Sequence, residues 1–212
     1  MGETADHALA LAWKAGDRAA ADQLFERYYE PVARFFCNKA GEAADDLVQK
    51  TFLACLEGIE RLQRPEDFRR YLFGVAYRLL CRHYRSLRRT PPQVDFDEVT
   101  ALDLDPSPSR VVARRREQRL ILEGLRRLPL NQQVVLELHY WEGMRGSDIA
   151  QVLDIPLGTA KTWLLRGRKA LAKALGSIAA DHRVLESTLS NLEGWARALR
   201  EHIGAVEAEP GR

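Results

Sequence analysis

Cysteine is scarce in this chain of 212 residues, and the three that occur, Cys37, Cys55 and Cys81, lie far apart in sequence. No pair has the CxxC spacing of a zinc or redox site, and an odd number gives no disulfide framework. The five histidines are also dispersed. We therefore predict that the cysteines pack in the core, that the compartment is a reducing cytoplasm, and that the protein uses no metal or other cofactor.

Long apolar runs are also missing, which predicts that no segment inserts into a membrane. The first residues, MGETADHALALAWKAGD, carry acids where a signal peptide needs cations. The sequence contains neither a Walker loop nor a nucleophile elbow. These absences predict a cytoplasmic protein that is not an enzyme.

Charge is nearly balanced overall, at a formal net +2, but it is unevenly distributed. Residues 61–89 contain nine arginines and two acids, whereas residues 93–109 contain five acids and no cation. Residues 161–173 carry only positive charge. Two basic segments on either side of an acidic spacer predict a polyanionic partner that is contacted at two places.

The acidic spacer, RTPPQVDFDEVTALDLDPSPS, contains four prolines and shows no helical period. No segment alternates as a strand, so the predicted fold is all-α. We expect two small helical domains, residues 1–90 and 110–176, joined by an acidic, proline-containing linker over 91–109. A C-terminal helical extension is expected over 177–212.

Four helices are expected in the first domain, near 5–15, 19–41, 43–61 and 66–89. The first should end at Gly16–Asp17. The second should be kinked or divided at Pro31 and capped by Gly41. In the third, four apolar residues keep helical spacing and are expected to face the core: Leu47, Leu53, Leu56 and Ile59.

The fourth helix carries arginines at steps of four, three and four residues, which form one cationic stripe: Arg78, Arg82, Arg85 and Arg89. Arginines can follow phosphates, and interleaved aromatic rings can stack on unpaired bases. The alternative is that the rings are ordinary core and the stripe is solvated. The aromatic residues concerned are Phe68, Tyr71, Phe73, Tyr77 and Tyr84.

Four helices are also expected in the second domain. Asn131 is the expected N-cap of the second of them, and Gly143 its C-terminal stop. The short helix SDIAQVL is followed by a turn at Asp154–Pro156 and then by TAKTWLLRGRKAL. This order is typical of a helix-turn-helix, whose last helix lies in the major groove of DNA.

Helical geometry divides that last helix into two faces, because each residue turns the helix by about 100°. Arg168 falls at the boundary between them. Backbone amides near Gly158 and Thr159 can hold a phosphate at the helix N-terminus. A merely solvated amphipathic helix is the alternative. The apolar side holds Ala160, Trp163, Leu164, Gly167 and Leu171, and the cationic side holds Lys161, Thr162, Leu165, Arg166 and Lys169.

Two segments resemble a known family. LPLNQQVVLELHYWEGMRGSDIAQVLDIPLGTAKTWLLRGRKAL resembles region four of bacterial sigma factors, and DDLVQKTFLACLEGIERLQRPEDFRRYLFGVAYRLLCRHYRSLRR resembles their region two. The spacing is similar to that of the extracytoplasmic-function group, over about residues 8–176. The resemblance implies a protein that binds core RNA polymerase, recognises two promoter elements and helps to open the duplex without covalent chemistry.

The resemblance also implies three sets of site residues. For the upstream promoter element, together with the faces derived above, these are Gly158, Thr159, Lys161, Thr162, Leu165, Arg166 and Lys169. For the downstream element and melting, they are Arg64, Phe68, Arg69, Tyr71, Arg78, Arg82, Arg85 and Arg89. For binding to core polymerase, they are Asp45, Asp46, Leu47, Val48 and Gln49.

This chain departs from the family pattern at several of these places. Arg78 and Arg82 stand where relatives often have Asn and Asp, which favours contact with the DNA backbone. Arg145 replaces a capping Ser, so Ser147 or Gly146 is expected to cap instead. Trp163 stands where a cation is common.

Two interpretations remain open at this level. One alternative function is a helix-turn-helix regulator with an N-terminal sensor or dimerisation domain. In the C-terminal extension, apolar residues recur at steps of four and three, which indicates either a helix packed on the second domain or a regulatory or partner-binding helix that replaces or supplements an anti-sigma protein. An anti-sigma factor is a further partner that the resemblance allows. The apolar residues are Leu185, Leu189, Leu192, Ala196, Leu199 and Ile203.

Overall fold

The computed structural model describes residues 2–62, 64–87, 100 and 116–178 of the chain. Within these ranges the chain is helical, and the only strand-like pairing is an isolated bridge between Thr100 and Pro129. The predicted all-α fold is confirmed. The chain divides into two compact units, with helices α1 to α4 in the first and helices α5, α6 and α8 in the second.

The first unit contains α1 (Gly2–Lys14), α2 (Arg18–Cys37), α3 (Ala44–Gly58) and α4 (Phe68–Leu87). Short 3₁₀ turns precede α3 at Gly41–Ala43 and follow it at Ile59–Arg61, and a third, Pro65–Asp67, leads into α4. Asp17 caps α2, because its carboxylate accepts a hydrogen bond from the Ala19 N–H at 2.9 Å.

Helix α2 corrects two expectations. Pro31 does not divide it, since one helix runs from Arg18 to Cys37. A proline removes only its own N–H from the helical ladder, and buried residues on both sides of it, Tyr28 and Val32 among them, hold the helix against the core. Gly41 does not cap α2 either, because the helix ends at Cys37 and Gly41 begins the following 3₁₀ turn.

Aromatic side chains dominate the core of the first unit. Phe68 is fully buried, with ring centroids 5.8 Å from Trp13 and 5.7 Å from Tyr28. Helix α1 is tied to this core, because the Tyr28 hydroxyl donates a 2.6 Å hydrogen bond to Asp6. Lys14 adds a bond to the Leu62 carbonyl at 2.5 Å.

Helix α3 turns a different face to the core than the one predicted. Leu47 and Ile59 are buried as expected, but Leu53 and Leu56 are 54% and 48% exposed. The four apolar residues that were expected to share one face therefore lie on two different sides of the helix. The residues of α3 that are buried are Ala44, Leu47, Val48, Thr51, Cys55 and Gly58.

The second half of the described chain contains α5 (Arg116–Arg126), α6 (Leu130–Tyr140), α7 (Gly146–Leu153) and α8 (Leu157–Ile178). Asn131 is not the N-cap of α6, because Pro129 occupies that position and Asn131 is buried in the first turn. Gly143 follows the end of α6 with φ of 63°, a conformation that glycine adopts without strain.

Helix α7 begins differently from the expectation that Ser147 or Gly146 caps it. The carbonyl of Arg145 accepts from the N–H groups of Asp148 and Ile149 at 2.9 and 3.0 Å, so Arg145 occupies the N-cap position. The Asp148 carboxylate in turn accepts from the Arg145 N–H at 3.1 Å, which is one half of a capping box. The turn into α8 contains Asp154 at φ of 54°, a left-handed conformation that Asp tolerates.

Helix α8 is the longest described helix and packs on α5 and α6. The apolar cluster beneath it includes Leu125, Leu136, Leu171 and Leu175. The linker over 91–109, apart from Thr100, and the apolar repeat of the C-terminal extension lie outside the described residues, as does Arg89.

Candidate nucleic-acid interface

Helix α8 separates its two faces as its sequence predicts. Ala160, Gly167 and Leu171 are buried, and Trp163 and Leu164 are half-buried. Leu165 is a large apolar side chain that is 57% exposed. The exposed side chains around it are Lys161, Thr162, Arg166 and Lys169.

No acid lies on this helix, so its exposed face carries only positive charge. The cations can reach phosphates or the acceptor edge of guanine, and Leu165 can contact a thymine methyl group. The face therefore has the chemistry that a major-groove contact requires.

Thr162 contributes a hydroxyl group to this face. Its hydroxyl donates a 2.8 Å hydrogen bond to the Gly158 carbonyl one turn earlier. Because the hydroxyl proton is used, the oxygen can present only lone pairs to a ligand.

The N-terminus of α8 is open to a ligand. Gly158 is exposed, and no atom lies within 4 Å of the position that a Cβ atom would take there. Thr159 is half-buried. The first N–H groups of a helix have no partner within it, so they can bind a phosphate oxygen.

The arginine stripe of α4 is exposed at Arg78, Arg82 and Arg85. Arg78 lies near Cys55: burial raises the pKa of that thiol to about 12, and the positive charge of Arg78 opposes the rise. The thiol is thus neutral, as expected for a cysteine that packs in the core. Of the residues before the stripe, Arg64 is exposed and Arg69 is half-buried.

The aromatic residues of α4 belong mostly to the core. Phe68 was predicted to contact DNA, but its side chain is 0% exposed and cannot stack on a base in this fold. Phe73 and Tyr84 are buried too, and the Tyr84 hydroxyl donates to the Lys39 carbonyl at 2.7 Å. Sequence periodicity could not separate these rings from exposed ones, because the aromatics occur on several sides of the helix.

Tyr71 keeps part of its ring exposed and remains a candidate for DNA contact. Its hydroxyl packs so closely on Gly58 of α3 that a Cβ atom there would clash with it. Burial, chiefly, raises the pKa of the Tyr71 phenol, so it stays protonated at ordinary pH. Tyr71 is therefore a neutral, half-buried residue that lies near Arg78 of the stripe.

The predicted polymerase-binding residues on α3 fall into two groups. Asp45, Asp46 and Gln49 are exposed. Leu47 and Val48 are only 4% and 3% exposed, so these side chains face the core rather than a partner. That part of the prediction is corrected, and the two residues serve to hold the helix in place.

Sequence reasoning missed an apolar surface on the same helix. Leu53 and Leu56 follow Asp46 and Gln49 by seven residues each, so all four lie along one exposed ridge of α3. Phe52 lies beside the ridge, stacked at 6.4 Å on the partly exposed ring of Tyr29. The seven-residue spacing was the available signal.

The described residues contain no group of three or more His, Cys, Asp or Glu that could hold a metal ion. None of the described helices is both long and apolar enough to span a bilayer.

Comparison with known proteins supplies the family. Residues 24–90 match the family model for sigma-70 region 2, and residues 118–171 match that for sigma-70 region 4. The two matches together take in more than half of the chain and fall one on each half of the described fold.

Whole-length relatives agree with these matches. The RNA polymerase sigma-H factor of Pseudomonas aeruginosa is 26% identical over 170 residues, which cover 76% of this chain and 88% of that protein. The ECF RNA polymerase sigma-E factor of Haemophilus influenzae is 25% identical over 175 residues, which cover 78% of this chain and 93% of that protein.

Among solved structures, CnrH in complex with the cytosolic domain of CnrY has a TM-score of 0.60 at 24% identity, and covers 82% of this chain and 99% of that one. At this identity the likeness shows the fold. The family models and the named relatives carry the conclusion further: this chain belongs to the extracytoplasmic-function sigma factors and directs promoter-specific initiation by bacterial RNA polymerase.

Proposed function

We propose that this sigma factor reads the upstream promoter element with the exposed face of α8. The observation that carries the proposal is the pairing of a buried apolar face with an acid-free cationic face on one helix. Lys161 and Arg166 bind base edges or phosphates, Thr162 accepts from a base amino group, and Leu165 covers a thymine methyl. Lys169 and the amides of Gly158 and Thr159 hold phosphates.

We propose a second contact for the stripe of α4. Arg78, Arg82 and Arg85 lie along one exposed line and follow the backbone of the downstream element as it opens. The sequence spacing adds Arg89 to this proposal, although that residue lies outside the described residues. Arg64 and Arg69 add charge before the stripe. Tyr71, rather than the buried Phe68, offers a ring to an unpaired base.

The third contact in the proposal is with core polymerase, along the exposed ridge of α3. Asp45, Asp46 and Gln49 give the ridge its polar end, and Leu53 and Leu56 give it an apolar end on the same line. A desolvated apolar patch with a polar edge is typical of a protein-binding surface. The continuity with Asp46 and Gln49 assigns the patch to the same partner.

The proposal further holds that the protein works in the cytoplasm and makes no covalent change itself. Residues 1–90 carry polymerase binding and melting, and 110–176 carry upstream recognition. CnrH was solved with the cytosolic domain of CnrY, and by analogy we propose that a partner protein can hold this sigma factor inactive.

Promoter selection by run-off transcription tests the proposal for α8. Lys161→Ala and Arg166→Ala should weaken use of the selected promoter and relax its upstream sequence preference, because each removes a contact to bases. Arg127→Ala is the matched control, since it removes an exposed cation that directly follows α5 and lies outside the proposed face. Unchanged upstream preference in both α8 variants would overturn the proposal.

A further inference from the structure

Arg168 stands at the edge of the recognition face, and its position suggests a part in binding. It follows Lys161 by seven residues and Leu165 by three, so the three side chains lie along one ridge of α8. Its side chain is exposed. Position alone places the guanidinium beside the proposed DNA surface.

Two residues of α6 hold the guanidinium of Arg168. Its Cζ atom lies 5.5 Å from the ring centroid of Tyr140, within the range of a cation–π contact. Its Nη2 atom lies 3.2 Å from Nε2 of His139. A flexible arginine is thus restrained on one face by stacking and on one edge by a hydrogen bond.

The two contacts of His139 indicate which of its ring nitrogens carries a proton. Its Nδ1 atom lies 3.0 Å from the carbonyl oxygen of Met144, which can only accept, so Nδ1 carries the proton. Arginine can only donate, so Nε2 accepts from Arg168. Both contacts are satisfied by the same neutral tautomer, which fixes the ring between the loop after α6 and the side chain of Arg168.

We propose that Arg168 binds a phosphate of the promoter DNA and that His139 and Tyr140 are positioning residues that aim it. This inference rests on the proposed recognition function of α8. An arginine has five N–H donors, and the contact with His139 uses one of them, which leaves the others to donate to a phosphate from an exposed side chain. Restraining the side chain before binding lowers the conformational entropy that DNA binding would cost. A phosphate contact adds affinity without sequence preference.

The test uses the full chain assembled with core polymerase and a promoter duplex selected by run-off transcription. Affinity is measured over a series of salt concentrations for Arg168→Ala, His139→Leu and His139→Gln. Loss of one phosphate contact should weaken binding about tenfold and lower the salt slope by about 0.9. His139→Leu should weaken binding in the same direction, because it removes the acceptor.

His139→Gln provides the conservative rescue. Its side-chain carbonyl oxygen can take the place of Nε2 and accept from Arg168, so affinity should return toward that of the wild type. Tyr140→Leu should weaken binding as His139→Leu does. Arg127→Ala, with the same change of charge elsewhere, should leave affinity unchanged.

The results separate the inference from the function on which it rests. If Lys161→Ala weakens binding but Arg168→Ala leaves affinity and salt slope unchanged, the inference fails and the recognition function stands. If both variants bind as the wild type does, both fail. If Arg168→Ala weakens binding but His139→Gln is as weak as His139→Leu in folded protein, the positioning role of His139 is overturned.

Discussion

A Cβ atom on Gly167 of α8 would come within 3.2 Å of the Gln132 carbonyl oxygen of α6. The same atom would press on Leu136, which is fully buried. The glycine is therefore the point at which α8 crosses α6 closely. This crossing explains why a residue that weakens a helix interior by about 1 kcal/mol relative to Ala occurs in its middle.

Gly167→Ala should lower the melting temperature. The helix gains about 1 kcal/mol of intrinsic stability, but overpacking against a backbone oxygen costs roughly 1–3 kcal/mol. Thermal unfolding measures the balance. Gly158→Ala is the matched control on the same helix, because no atom lies within 4 Å of its Cβ position. A melting temperature that rises in Gly167→Ala would show that the helices can separate without cost.

Leu53→Ser combined with Leu56→Ser should weaken binding to core polymerase by about tenfold or more, which corresponds to a combined loss of about 1.4 kcal/mol or more from the two apolar contacts. Both side chains are about half exposed, so the free energy of unfolding should hardly change. Leu11→Ser on α1 is the control, with an equally exposed leucine. If the double variant and the control bind core polymerase with equal affinity, Leu53 and Leu56 are not part of the binding surface.

Phe68→Leu should lower the free energy of unfolding by roughly 1–3 kcal/mol, because the ring packs edge-to-face with Trp13 and Tyr28. Denaturant titration measures the loss. Promoter opening by the folded variant, measured below its unfolding transition, should match the wild type. If the variant opens the promoter less well but has an unchanged free energy of unfolding, Phe68 contacts DNA after all.

Arg78→Ala combined with Arg82→Ala should reduce the salt dependence of promoter-complex formation. Each lost contact to a single-stranded phosphate lowers the slope by about 0.7. Arg18→Ala on α2 removes another exposed cation of the first unit and should leave the slope as it is. Parallel salt curves for the double variant and the wild type would contradict the role of the stripe.

The two faces of α8 were the feature most open to prediction from sequence. Thr162 and Leu171 occupy opposite faces of α8, and because the described part of α8 is one regular helix, its periodicity maps directly onto burial. In α3 the apolar residues occur on both the core side and the exposed ridge. Spacing alone therefore could not tell Leu53 from Leu47.

The errors at helix ends have local causes. Asn131 has the side chain of an N-cap, but Pro129 takes that position and Asn131 enters the first turn of α6. Arg145 has no capping side chain, yet its backbone fills the N-cap position of α7 because Asp148 reaches back to its N–H. These outcomes depend on backbone hydrogen bonds that a sequence pattern does not specify. The hydrogen bond between His139 of α6 and Arg168 of α8 depends on how the two helices pack, so it could not be predicted from sequence either.

The most direct test of the account is run-off transcription by purified bacterial core polymerase on a library of promoters, with and without this protein. Transcripts should start downstream of a shared motif only when the protein is present. These transcripts should be lost when Lys161 and Arg166 are both replaced by Ala. Specific DNA binding without core polymerase, and no new transcripts with it, would contradict the account and favour a helix-turn-helix regulator.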